Sequence, residues 1–65
     1  MPLEAEREIK LAIEQRPEVE AFSLIYFNFL WESGRTDEGF DEMRRFEKYG
    51  GSPVYREMVR KINGK

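Results

Sequence analysis

The segment Leu24-Ile25-Tyr26-Phe27-Asn28-Phe29-Leu30-Trp31 carries seven apolar side chains in eight positions, and its reading decides the fold class. At helical spacing it separates into two faces. Val19, Phe22, Ile25, Tyr26, Phe29 and Leu30 form one broad face, which should be core in any arrangement. Leu24, Phe27 and Trp31, spaced i, i+3 and i+7, form a second ridge. Only Ala21, Asn28 and Glu32 make a narrow polar strip between them. A helix that is apolar on nearly all sides must be surrounded by neighbours, so this one belongs at the centre of a bundle. The run is far shorter than the ~20 residues that span a bilayer.

The flanking sequence supplies three more helices. Ala5, Ile9, Ala12 and Ile13 share a face, which predicts a helix over about 3–15 that stops before Pro17. Pro17 suits the first turn of the central helix, predicted over 18–33 with Gly34 closing it in the left-handed conformation. Thr36 or Asp37 is placed to cap a third helix over 37–49. Its start is loaded with Asp37, Glu38, Asp41 and Glu42, and its end with Arg44, Arg45 and Lys48. Phe40, Met43 and Phe46 mark its apolar face, with Gly39 alongside. Gly50-Gly51 ends it. Ser52-Pro53 then reads as a cap followed by a proline at the first helical position, opening a fourth helix over 53–62. That helix turns Val54, Tyr55, Met58, Val59 and Ile62 inward. No segment alternates as a strand does. The expected fold is all-α, one domain over 1–65, a small bundle of four short antiparallel helices.

Sixty-five residues make a thin core, since a chain of this length buries only about 60% of its unfolded surface. Without Cys or His, no disulfide, thiolate or imidazole metal site can reinforce it, which leaves tight packing or self-association. The opening Met1-Pro2-Leu3-Glu4-Ala5-Glu6-Arg7-Glu8 is charged and acidic, unlike a signal or transit peptide, so the expected location is cytoplasmic. Residues 1–43 hold 4 basic and 11 acidic side chains, while residues 44–65 hold 7 basic and 2 acidic. The two parts should attract each other, within one chain or between chains.

A faint repeat runs at a spacing of 34: Glu4-Ala5 answers to Glu38-Gly39, Glu8-Ile9 to Glu42-Met43, and Leu24-Ile25 to Met58-Val59. Gly34-Arg35-Thr36-Asp37-Glu38-Gly39-Phe40 resembles the turn and second-helix start of the tetratricopeptide repeat, with Gly39 at its small-residue position. Glu4-Ala5, Ile9, Ala12 and Pro17 resemble the second helix of a preceding unit. The resemblance covers about residues 4–53. It departs from the repeat at Ser23, Phe27, Phe46 and Gly51, where that family has a tryptophan, two small residues and a proline. The resemblance implies tetratricopeptide-like hairpins and binding of a peptide or protein in a helical groove, without catalysis.

The residues themselves offer little chemistry. The general base, thiolate nucleophile and metal-ligand sets that use His or Cys are unavailable. Gly50-Gly51-Ser52 lacks the spacing and the lysine of a phosphate loop. Asp37, Glu38, Asp41 and Glu42 read as dipole-matching charges, with Asp41 paired to Arg45, rather than as a cation site. No enzyme activity, cofactor, metal, membrane or small-molecule substrate is expected.

Two functional readings follow. In the first, Leu24, Phe27 and Trp31 form an exposed ridge that binds a protein partner or a second copy of the chain, as in an adaptor, inhibitor or assembly protein. The competing structural explanation makes the same ridge core, covered by the first helix. In the second, the third and fourth helices form a helix-turn-helix-like unit that contacts nucleic acid through Tyr55, Arg56, Arg60 and Lys61. The net charge of −2 and the glycine at the turn count against it.

Overall fold

The computed structural model describes residues 3–64. Four helices and no strand make up that stretch: α1 (Leu3–Gln15), α2 (Glu20–Glu32), α3 (Thr36–Glu47) and α4 (Pro53–Gly64). They form an all-α bundle with principal extents of 37 × 25 × 15 Å. Helix α2 is its centre, approached extensively by α3 and by α1, whereas α4 makes no comparable backbone approach and docks through its side chains. No described helix is long and apolar enough to cross a membrane.

The punctuation is set by backbone geometry. At Gly34 (φ +79°) the N–H donates to the Trp31 carbonyl (3.1 Å), and the next N–H, of Arg35, donates to the Leu30 carbonyl (2.9 Å). The same pair of closing bonds ends α3, where Gly50 (φ +106°) donates to Glu47 (3.2 Å) and Gly51 to Phe46 (3.1 Å). Both satisfy carbonyls that the helix leaves without partners, and both need a left-handed residue that only glycine adopts without strain. Ser52 caps α4 as its sequence suggests: its Oγ accepts the Val54 N–H at 3.1 Å. Such a cap contributes on the order of 1 kcal/mol.

Five boundaries differ from expectation by one or two residues: both ends of α2, both ends of α3 and the end of α4. Helix α2 starts at Glu20, because Pro17 and Glu18 lie in a turn closed by the Val19 N–H donating to the Arg16 carbonyl (3.3 Å). The Pro17 carbonyl instead accepts from Arg45 (3.0 Å), and Glu18 pairs with Arg16 (3.0 Å). Helix α3 starts at Thr36 behind Arg35, which supplies no side-chain cap. Ser33, Gly34 and Arg35 alone join the two helices, and the Arg35 guanidinium reaches back to Glu6 of α1 (2.9 Å).

The main core joins Phe27 of α2, Met43 and Phe46 of α3 and Tyr55 of α4, with Leu24, Phe40 and Met58 packed against it. Leu30 and Phe29 are buried on α2, and Ile13 on α1. Phe27 is the pivot: its ring lies edge-on to Tyr55 (5.2 Å between centroids) and stacks on Trp31 (5.6 Å). Beneath it runs α3 at Gly39, where an added Cβ would stand 3.4 Å from the Phe27 ring. The large residue on α2 is matched by the missing side chain on α3, so the two helices stay close. The broad face of α2 is less uniform than its sequence suggests. Ile25 is 49% exposed and joins Ala21, Asn28 and Glu32 on the strip that faces solvent.

Candidate functional site

The ridge of α2 divides. Phe27 is core, 5% exposed, and Leu24 is half-buried against it. Trp31 alone reaches the surface, at 41% exposure. Phe27 is therefore reachable by a partner only through an opening toward α4, and α3 and α4, rather than the first helix, are what cover it. The reason lies in angle: Phe27 points toward the α3–α4 side, where Gly39 and Tyr55 receive it.

Beside Trp31 the surface opens into a cleft of about 250 Å³ between the α2–α3 hairpin and α4. Phe27 and Met43 form its floor, and Trp31 and Phe40 one lip, their rings meeting edge-on at 5.6 Å. Met58 and Ile62 form the other lip, with Asn28 and Lys61 as its polar members. Tyr55 anchors the first turn of α4, while Ile62 near the helix end is 54% exposed. The cleft is thus the wedge left between a docked helix start and an uncovered helix end. Two methionines in its wall can adapt to differently shaped apolar side chains.

Beneath the wedge lies a feature the sequence reading missed, a buried hydrogen-bond relay across three helices. Ser23 Oγ of α2 donates to Glu42 Oε2 of α3 (2.6 Å) and stands 2.7 Å from Tyr55 Oη of α4. Each hydroxyl has one hydrogen. The arrangement that uses each once runs from Tyr55 to Ser23 to Glu42, with the Ser23 carbonyl, 3.0 Å from Tyr55 Oη, as a second acceptor. Arg45 completes the relay with two bonds to the Glu42 carboxylate (2.9 and 2.7 Å) and one to the Pro17 carbonyl. Ser52 donates to Glu20, tying the start of α4 to the start of α2. Among the described residues no buried side-chain polar atom lacks a partner. The available signal was Glu42 itself, a carboxylate set among Gly39, Met43 and Phe46 on the apolar stripe of α3.

Burial pushes the Tyr55 hydroxyl up to about 12, against the opposing effect of its bond to Ser23. A group whose pKa rises on folding contributes stability below its unfolded value, and that stability is lost as pH climbs toward the folded value. The domain should therefore lose stability between pH 10.0, the ordinary tyrosine value, and about 12. Urea midpoints measured across that window should fall, and Tyr55→Phe should flatten most of the fall. An equal slope in both proteins would remove Tyr55 as its cause.

The acidic start of α3 disperses onto arginines. Glu38 pairs with Arg35, Asp41 with Arg44 rather than with Arg45, and Glu42 with Arg45. Arg35 holds the Glu6 and Glu38 carboxyls below the usual carboxylate range, chiefly by hydrogen bonding. Among the described residues no group of three His, Cys, Asp or Glu is arranged to hold a metal ion.

Of the four residues considered for nucleic acid, three stand on the surface of α4 and one does not. Tyr55 is 1% exposed and turned into the core, which removes it from any such contact. Arg56, Arg60 and Lys61 are exposed, but Arg60 is held by Glu57 (2.6 Å) and Lys61 borders the apolar cleft. Comparison with known protein families, curated protein sequences and solved structures finds no match for the chain.

Proposed function

We propose that the chain is a non-catalytic protein-interaction module, an adaptor, inhibitor or assembly protein, whose docking surface is the wedge between the α2–α3 hairpin and α4. One observation carries this reading: an apolar cleft floored by core residues, with Trp31 and Ile62 exposed on opposite lips. Aromatic and aliphatic side chains around a concave apolar floor are the usual anchors of protein interfaces. The polar contribution is small, Asn28 and Lys61, which suits an apolar helix face better than a charged small molecule. The resemblance to tetratricopeptide hairpins agrees with it, since such hairpins bind peptides in helical grooves. The compartment proposed is the cytoplasm, in keeping with a cysteine-free chain.

Trp31 is the only tryptophan and reports on its own cleft. Titration with amphipathic helical peptides, leucines on one face flanked by glutamates, should give a saturable blue shift of its fluorescence. Ile62→Asp should abolish the shift while leaving the far-UV circular dichroism unchanged. If no peptide of such a panel moves the spectrum of the wild-type chain, the wedge is not a docking surface.

A further inference from the structure

We infer that the occupant of the wedge is the outer face of α1 from a second copy of the chain, so that copies associate head to tail. The inference rests on the reading of the wedge as a docking surface and adds its partner. The outer face of α1 carries Glu4, Glu8, Leu11 and Gln15 at i, i+4, i+7 and i+11, all exposed, with Leu11 at 51%. Arg7 and Glu14, also exposed, border it, so Leu11 stands on a face of three carboxylates and one guanidinium, net −2. The α4 lip is its counterpart, with Met58 and Ile62 beside Lys61.

The charges choose the partner. The acidic 1–43 and basic 44–65 parts of the sequence should attract, yet none of the ion pairs among the described residues joins α4 to α1 or α2. Arg60 is paired within its own helix, and Lys61, Glu4 and Glu8 have no ion-pair partner among the described residues. Two complementary surfaces therefore stand on one molecule without meeting. A symmetric pairing of wedge with wedge would bring Lys61 toward a second Lys61, with no acidic side chain in the cleft lining to meet it. Pairing α1 with α1 would bring together two faces of net −2, each with Arg7 alone to offset Glu4, Glu8 and Glu14. Like-charge juxtaposition disfavours both. Only α1 against the wedge matches sign with sign and leucine with cleft. Such a contact uses two different patches, so it leaves one of each free on a pair and propagates into a ring or an open chain of copies.

Light scattering and sedimentation equilibrium from micromolar to millimolar chain should show a mass that climbs past two chains and falls when salt is added. Leu11→Lys and Ile62→Asp each break one patch, so each variant alone should stay at the 7.8 kDa of one chain. Mixed in equal amounts they keep one good patch of each kind, and the mixture should reach the mass of two chains and stop. Lys61→Glu replaces Ile62→Asp if the latter loses helicity. A wild-type mass of one chain at every concentration overturns the inference. So does a mass that stops at two chains and ignores Leu11→Lys, which would mean a symmetric pair. If the wild type stays single while peptides still shift Trp31 fluorescence, the second copy is wrong and the docking surface stands. If both fail, so does the proposed function.

Discussion

Phe27→Ala is expected to unfold the domain, whereas Trp31→Ala, one turn further along the same ridge, is expected to leave it folded. Phe27 is buried between three helices, against Gly39 of α3 and the ring of Tyr55 of α4. Truncating a buried phenylalanine costs about 3–5 kcal/mol, from lost transfer energy and from the void left behind. The void has little means of closing, because the wall opposite is backbone at Gly39, with no side chain to move in. A single core in a chain this short supplies roughly 3–5 kcal/mol in all, so the loss is comparable with the whole stability. Trp31 is part-exposed and loses its stack on Phe27 and its edge contact with Phe40, about 1–2 kcal/mol. Urea denaturation followed by far-UV circular dichroism separates the two. A Phe27→Ala protein with a midpoint near that of the wild type would show that the Phe27–Gly39 contact does not hold the hairpin together.

That contrast also marks how far the sequence was readable. Helix positions followed from local rules that need no tertiary knowledge: a left-handed glycine after Ser33, a second at Gly50, and Ser52 ahead of Pro53. Pro17 was misplaced because a proline fits a turn as well as a first helical position, and which one it takes depends on Arg45 capturing its carbonyl from α3. The ridge was ambiguous for a related reason. Periodicity gives each side chain an angle on α2, but not the helix that occupies that angle. Gly39 held the missing information, since a glycine on an apolar stripe marks where a large neighbour comes close. The relay was hidden by a sound default, that carboxylates face water. Glu42 departs from it because Arg45, one turn on, and Ser23, 19 residues earlier, both supply hydrogen bonds inside the fold.

The same relay sets the second expected result, a graded series at Glu42. Glu42→Ala removes the acceptor for the Ser23 hydroxyl and the partner of Arg45 together. Breaking a buried pair from one side costs about 3–5 kcal/mol. Arg45 retains partial access to water and its bond to the Pro17 carbonyl, which lowers the expectation to about 2–4 kcal/mol. Glu42→Gln keeps the shape and one oxygen for Ser23 but gives up the charge-assisted double bond to Arg45, about 1–2 kcal/mol. Ser23→Ala should cost the least, about 1 kcal/mol, because Tyr55 still finds the residue-23 carbonyl 3.0 Å away. If the three groups act as one unit, Glu42→Ala combined with Ser23→Ala must cost clearly less than the sum of the two measured separately, since the second change removes a hydroxyl that the first had already cut off from its charged acceptor and left only Tyr55 Oη. Strict additivity, or a Glu42→Ala effect within about 0.5 kcal/mol of zero, would mean that the relay does not help to hold α4 to the hairpin.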